Sequence, residues 1–132
     1  MSDNIKLSVT LPTNASTVYK AWLNSEEHTA FSKNKTSIEK KVGSQYTAGD
    51  GYIEGEIKQM ILSKKIVMTW RTTEFPEDVE DSLLEVNFEG SDNSTKVILV
   101  HTNLPEGDGK KYRKEWKDHY FTPMKEYFSQ ES

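Results

Sequence analysis

The clearest hydrophobic pattern in the chain lies near its end, in residues 110–128. Apolar residues recur there every four positions, which is the spacing of an amphipathic helix with one buried face. The stripe consists of Tyr112, Trp116, Tyr120, Met124 and Phe128. Because it is unusually aromatic, we expect this helix to lie on a large apolar surface. Pro123 falls inside the stripe and lacks a backbone donor, so the sequence also predicts a kink near His119.

Most other apolar residues alternate with polar ones, which predicts strands with one buried face. The first such run is residues 5–11, and five or six strands are expected later. These later strands are residues 36–40, 45–47, 52–61, 65–71, 84–88 and 97–101. Asp50-Gly51 predicts a hairpin turn, and Gly55 inside a strand predicts a bulge or a sharp bend.

Two short helices are expected between the first strand and the later ones. Thr13 or Asn14 can cap the first, and Asn24 or Ser25 can begin the second, which is expected to end near Phe31. Strands joined by hairpins form antiparallel sheets, and the apolar face of such a sheet needs a cover. The sequence therefore predicts an α+β fold. In it, a curved antiparallel sheet of about six or seven strands wraps around a long C-terminal helix.

Composition narrows the possible functions. The chain has 132 residues, which suggests a single domain over residues 1–132. Its net charge of −4 argues against binding to nucleic acid, which requires a basic patch. The chain contains no cysteine and so offers no disulfide or thiolate chemistry. The N-terminus carries no long apolar run, so we expect neither a signal peptide nor a membrane anchor, and a cytoplasmic location.

Enzyme motifs are not evident. The three histidines match no common zinc pattern, so we expect no metal and no cofactor. Glu54 and Glu56 share a strand face and are either paired carboxylates for acid–base work or simply the solvated face of a strand. His28 and His119 lie beside charged residues, and we expect both at the surface. His101 is either a polar anchor in a cavity or a hydrogen-bonded core histidine.

Aromatic and charged residues suggest two kinds of binding site. The candidates for a ligand cavity are Trp70, His101, Tyr112, Trp116 and Tyr120, although these residues also suit plain core packing. The candidates for a partner surface are Lys110, Lys111, Arg113 and Lys114, opposite in charge to the acidic loop at residues 73–81. Both charged segments also suit an ordinary solvated surface.

Several segments together resemble the helix-grip domains of the START-like superfamily. They are residues 15–22, 51–57, 65–71 and 100–105, followed by Glu115-Trp116 and Tyr120-Phe121. The closer similarity is to the C-terminal domain of the activator of heat shock protein 90 ATPase family. The eukaryotic activators also have an N-terminal domain, which we expect to be absent here because residue 5 already begins the helix-grip domain.

The resemblance implies a non-enzymatic binding module. Its expected partner is a heat shock chaperone of the ninety-kilodalton class, whose ATPase it would modulate. The wider superfamily implies an alternative, in which a small apolar ligand binds between the C-terminal helix and the sheet. The sequence alone leaves both functions open.

Overall fold

A six-stranded antiparallel sheet forms the body of the protein in the computed structural model, which describes residues 2–130. Its strands are β1 (Asp3–Leu11), β2 (Gln45–Ala48), β3 (Ile53–Ile61), β4 (Lys65–Thr72), β5 (Ser82–Gly90) and β6 (Thr95–Leu104). Their order across the sheet is β1-β6-β5-β4-β3-β2. Sequential strands from β2 to β6 are neighbours, and β1 closes the far edge by pairing with β6.

Helices complete the α+β architecture that the sequence predicts. Two short ones, α1 (Ala15–Trp22) and α2 (Ser25–Ser32), follow β1. The C-terminal helix consists of α3 (Gly109–Trp116), a π-helical turn (Lys117–Phe121) and α4 (Thr122–Gln130). Every member of its aromatic stripe is buried, as are the inward residues of β4 and β6. Within residues 2–130, no helix has the length and apolar character needed to cross a membrane.

Asparagine side chains begin both short helices. The Asn14 side-chain oxygen accepts a hydrogen bond from the backbone N–H of Thr17 at 2.8 Å. Asn24 does the same for Glu27 at 2.9 Å. Each bond satisfies one of the free N–H groups at a helix start, so Asn14 and Asn24 are the caps among the predicted alternatives.

The strand predicted at residues 36–40 is wrong. Only an isolated bridge forms there, between Ser37 and Thr47. The neighbouring backbone is bound to α2 instead, because the Ser25 hydroxyl accepts from the N–H of Ile38 at 2.8 Å and Thr29 accepts from Thr36 at 2.9 Å. With these side-chain bonds on either side of the bridge, no continuous ladder to β2 forms, and the sheet has six strands within residues 2–130 and not seven.

Gly55 is required by a close approach and not by a bulge at its own position. The register of β3 and β4 shifts at residues 57–59, further along the strand. A Cβ on Gly55 would stand 1.9 Å from the carbonyl oxygen of Thr69. That oxygen accepts a hydrogen bond from the Tyr46 hydroxyl, which crosses β3 from β2 at 2.7 Å. Glycine is therefore what lets the tyrosine reach across the strand.

The C-terminal helix is irregular at Lys117–Phe121, which includes His119, where the sequence predicts a kink. The N–H of Thr122 donates to the carbonyl of Lys117, five residues earlier, which closes a π-helical turn. Pro123 follows directly and has no N–H, and in a regular α-helix its ring would collide with the carbonyl of His119. The extra residue in the turn accommodates the proline while both halves of the stripe stay buried.

Candidate functional site

A layer of aromatic rings joins the C-terminal helix to the sheet. The ring of Trp116 lies 5.7 Å from Trp70, 6.4 Å from Trp22 and 4.7 Å from Tyr120, measured between centroids. Trp70 also meets Tyr112 edge-on at 5.1 Å. Each of these five side chains is at most 8% exposed. The aromatic excess therefore supplies, first of all, a packed core between helix and sheet.

His101 links β5, β6 and the C-terminal helix by hydrogen bonds. The indole N–H of Trp116 donates to its Nδ1 at 3.1 Å. Nε2 therefore carries the proton and donates to the Ser82 hydroxyl at 2.8 Å, and that hydroxyl donates to the carbonyl of Trp70. Burial lowers the pKa of His101 to about 3, so the ring is neutral. Of the two readings that the sequence left open, the geometry gives the hydrogen-bonded core histidine.

His28 is buried, and the prediction that it lies at the surface is wrong. Its Nδ1–H donates to the carbonyl of Trp22 at 2.8 Å, and its Nε2 accepts from the Tyr120 hydroxyl at 2.8 Å. Burial lowers its pKa to about 4, against a smaller opposing effect of the bond to Trp22. The adjacent glutamates suggested a solvated face, but the imidazole points into the gap between α2 and the C-terminal helix. His119 is exposed, as expected.

A cleft of about 200 Å³ opens beside this aromatic layer, along α3 and the π-helical turn. Its lining includes Trp70, Tyr112, Trp116 and Tyr120, four of the five cavity candidates, while His101 does not line it. The rest of the lining is Ser32, Asn34, Gly49, Tyr52, Ile53, Glu115 and His119. The space between helix and sheet is therefore an open cleft at one end.

Deeper between helix and sheet the space is nearly filled. A void of about 10 Å³ remains, and Ile53, Trp70, Trp116 and Tyr120 line both it and the cleft. Such a volume holds about one water molecule. Trp22 also lines the void, and its indole N–H has no hydrogen-bond partner among the described residues. A ligand of more than a few atoms would therefore have to occupy the cleft and not the interior.

The rim of the cleft carries charge. Glu115 is half-buried there, and burial raises the pKa of its carboxyl, against the opposing effect of the nearby Lys111 ammonium. Lys111 itself forms an ion pair with Glu74 at 2.7 Å, and Glu74 also accepts a hydrogen bond from the Tyr52 hydroxyl. Both bonds lower the pKa of the Glu74 carboxyl, with Lys111 as the larger cause.

Sequence reasoning singled out Lys111 and the acidic loop that contains Glu74, but it assigned neither to a cleft and did not select Tyr52 or Glu115 as site residues. Tyr52 and Glu74 come from distant segments, so only the fold brings them to α3. Glu115 gave a weak signal, since it precedes Trp116 at the border of the apolar stripe. A carboxylate at such a border is usually solvated, whereas Glu115 is partly buried by residues from other segments of the chain.

The four predicted partner-surface cations do not have equal surroundings. Lys111 is paired with Glu74 of the acidic loop, so the structure joins two segments that the sequence offered as separate patches. Lys114 is highly exposed and lies 3.4 Å from Asp118 one turn later. Lys110 and Arg113 are exposed and form no ion pair within residues 2–130. The solvent-facing part of the patch therefore consists of Lys110, Arg113 and Lys114.

Other candidate chemistry is sparse. Glu56 forms an ion pair with Lys58 on its own strand at 3.2 Å, and Glu54 is exposed, which agrees with a solvated strand face. No group of three or more His, Asp or Glu side chains among the described residues is arranged to hold a metal ion.

The sheet, the two short helices and the C-terminal helix together define a helix-grip domain of the START-like class. A family model described as Activator of Hsp90 ATPase homolog 1-like protein matches residues 12–129. The chain belongs to this family, and the resemblance read from its sequence is confirmed.

Known relatives and structures are similar over most of this chain. The human activator of 90 kDa heat shock protein ATPase homolog 1 is 25% identical over 124 residues, which is 94% of this chain and 36% of the relative. A homologous activator from Dictyostelium discoideum is 26% identical over 114 residues, covering 86% of this chain and 30% of the relative. The chain thus spans about a third of the length of the curated relatives that it matches.

Solved structures show the same fold. An HSP90 activator from Plasmodium falciparum superimposes with a TM-score of 0.78 at 23% identity, over 90% of both chains. The Aha1 dimer from Colwellia psychrerythraea gives a TM-score of 0.78 at 18% identity, over 96% of both chains. At these identities the likeness establishes the fold.

Proposed function

We propose that this chain is a non-enzymatic binding domain that contacts a heat shock chaperone of the 90-kDa class and modulates its ATPase. The observation that carries this proposal is the family match over residues 12–129, supported by relatives named as activators of that ATPase. The chain spans about a third of the length of those relatives. The proposal therefore concerns the contact that this domain makes with the chaperone, and not the activity of the full-length relatives. We also infer a single domain over residues 1–132 that acts in the cytoplasm.

The exposed start of α3 is the surface that suits this contact best. Lys110, Arg113 and Lys114 project into solvent on adjacent turns. Charged side chains at the rim of an interface steer association, and their effect weakens as salt screens them. Lys111 is excluded from this surface because Glu74 binds it. The proposed partner surface is therefore acidic.

The test is the double charge reversal Lys110→Glu with Arg113→Glu. We expect the variant to bind the purified chaperone about tenfold or more weakly at low salt, and to lose most of its effect on ATPase turnover. Isothermal titration calorimetry and a coupled ATPase assay measure the two quantities. High salt should weaken the wild-type complex in the same direction.

A matched control is Lys40→Glu with Lys41→Glu. It makes the same change of net charge at two exposed positions in the loop before β2. It should leave affinity and ATPase modulation close to the wild type. If the wild-type protein neither binds the chaperone at low salt nor changes its turnover, the proposed function is wrong.

The cleft supports a second candidate function, the binding of a small, largely apolar molecule. Its volume of about 200 Å³ exceeds the roughly 150 Å³ of an engineered cavity that holds benzene. Aromatic walls with a few polar groups at the rim are typical of ligand sites. This candidate predicts binding at the cleft whether or not a chaperone is present.

Filling the mouth of the cleft tests this second candidate. His119 lines the cleft and is exposed, so His119→Trp, which replaces the imidazole with a two-ring indole, should obstruct the cleft without disturbing the core. Lys117→Trp adds the same side chain at an exposed position that does not line the cleft. Ligand-observed NMR with a panel of apolar fragments should show binding to the wild type and to Lys117→Trp, and reduced binding to His119→Trp. Equal binding to all three proteins would exclude the cleft.

A further inference from the structure

The cleft has an aromatic wall and a carboxylate on the same helix. Tyr112, Glu115 and Trp116 all line it from α3, and Tyr120 follows in the next turn. Glu115 is the acidic residue among the lining side chains. It makes no ion pair within 4.0 Å in the described part of the chain, whereas Glu74 beside it does. The cleft therefore contains a half-buried carboxylate that forms no ion pair within residues 2–130.

The charges around this carboxylate do not balance. Two carboxylates, Glu74 and Glu115, share the neighbourhood of a single ammonium, that of Lys111, while the Tyr52 hydroxyl and the His119 ring make smaller contributions that favour the charged form of Glu115. The ammonium forms an ion pair with the Glu74 carboxylate at 2.7 Å. Burial disfavours the charged form of Glu115, and a cation placed nearby would offset that cost. An anionic ligand would meet repulsion at the same place.

The aromatic rings favour the same kind of ligand. The faces of Trp and Tyr rings attract cations, and this attraction grows as the cation is desolvated. One ring of the cleft already does so, because the Lys111 ammonium lies 5.0 Å from the centroid of Tyr112. Trp70, Trp116 and Tyr120 hold one another by ring contacts of 5.7 Å and 4.7 Å, which makes the wall rigid. A rigid site loses little entropy when a ligand binds.

We propose that the cleft selects an organic cation, an amine or a quaternary ammonium group on a small apolar body, with Glu115 as its counter-ion. This inference rests on the second candidate function, ligand binding in the cleft, and it names the chemical class of the ligand. It is independent of chaperone binding. Trp116 and Tyr120 provide the aromatic contact, and Glu115 adds the charge that strengthens the preference for a cation over a neutral molecule of the same shape.

Two soluble probes of nearly identical shape isolate the charge. Choline and 3,3-dimethyl-1-butanol differ in that a quaternary nitrogen of one replaces a quaternary carbon of the other. We expect NMR titration at low salt to shift the indole N–H signals of Trp70 and Trp116 with both probes, and choline to bind about fivefold more tightly. In Glu115→Gln the preference for choline should fall at least twofold, to the part that the aromatic rings supply, while the neutral probe binds as before.

Asp118→Asn is the matched control, since it removes one negative charge from the same helix at an exposed residue outside the cleft lining. It should keep the preference. Equal affinities of the wild type for both probes, or a preference that is undiminished in Glu115→Gln, would overturn the inference and leave ligand binding itself intact. No binding of either probe would overturn both. Unchanged amide spectra of the free variants establish that each one is folded.

Discussion

Two buried histidines hold opposite tautomers, and each is fixed by a partner that can act in only one way. The carbonyl of Trp22 only accepts, so Nδ1 of His28 carries the proton. The indole N–H of Trp116 only donates, so Nε2 of His101 carries it. Protonating either ring would place a charge in the core and put a second N–H against an existing donor. His101 therefore binds Trp116 only while neutral, whereas His28 could keep Tyr120 as a partner if the hydroxyl turned to accept, and burial alone disfavours its charge.

Stability should consequently fall as the pH drops from about 6.5 towards 4. The unfolded chain protonates its histidines near pH 6.5, whereas the folded-state pKa values of His28 and His101 are about 4 and 3. The unfolded state then binds more protons, and each histidine removes up to about 1.4 kcal/mol of the free energy of unfolding per pH unit. Urea unfolding at several pH values measures the slope.

Single variants separate the histidines from the carboxylates. His101→Gln should be less stable at pH 7 but should lose part of the pH slope, by up to about 1.4 kcal/mol per unit. His119→Gln changes an exposed ring and should keep the wild-type slope. A free energy of unfolding that stays constant between pH 6 and 4.5 would contradict the buried neutral state.

At the scale of elements, the start of α3 is stabilised by a residue from the other end of the chain. Asp108 occupies the N-cap position but its side chain makes no capping bond. The carboxylate of Asp3, on β1, accepts instead from the backbone N–H groups of Gly107 at 3.1 Å and Gly109 at 2.8 Å. A negative charge at a helix start also offsets the unfavourable cations in its first turns.

Asp3→Ala should therefore cost about 1–2 kcal/mol of the free energy of unfolding, as expected for the loss of a charged cap. Asp108→Ala, which by sequence position looks like the more damaging change, should cost a few tenths of a kcal/mol or so. Chemical denaturation of both variants at pH 7 measures the difference. Equal losses would show that the helix start does not depend on the contact with β1.

At the scale of the whole molecule, helix and sheet share one core. The three tryptophans come from α1, β4 and α3, and their rings meet in the aromatic layer between helix and sheet. The short helices pack against the same core, α1 against β5 and α2 against α4, and the buried apolar residues of all these elements form one cluster. Unfolding should therefore be cooperative, as in most single domains of this size.

Coincident transitions test this expectation and, with it, the proposed single domain. Tryptophan fluorescence reports the aromatic layer, and circular dichroism in the far ultraviolet reports the helices and strands. The two signals should give the same midpoint and the same denaturant dependence. A helix that melts before the sheet would separate the curves and would contradict a shared core.

Local physics explains why so much of the fold could be read from the sequence. Backbone geometry alone explains the alternation of apolar and polar residues in the strand at residues 65–71 and the four-residue spacing of the C-terminal stripe. The expected irregularity before Pro123 follows from a missing N–H and a collision within a single turn. Residues 36–40 also have a strand-like pattern, but Ser25 and Thr29 bind their backbone from another element. The sequence of residues 36–40 itself gives no sign that side chains of another element bind this backbone.

The sequence by itself determined the elements, the faces they bury and the family, because periodicity, capping and proline act over a few residues. Only the tertiary structure decided which polar groups lose their water and which partners they meet. In the folded protein His28 is buried beside Tyr120, Asp3 caps α3, and Tyr52 and Glu115 line one cleft, with Glu74 bonded to Tyr52. The proposed cation site depends on that last step, since a carboxylate acquires its chemistry from surroundings that the chain supplies from distant positions.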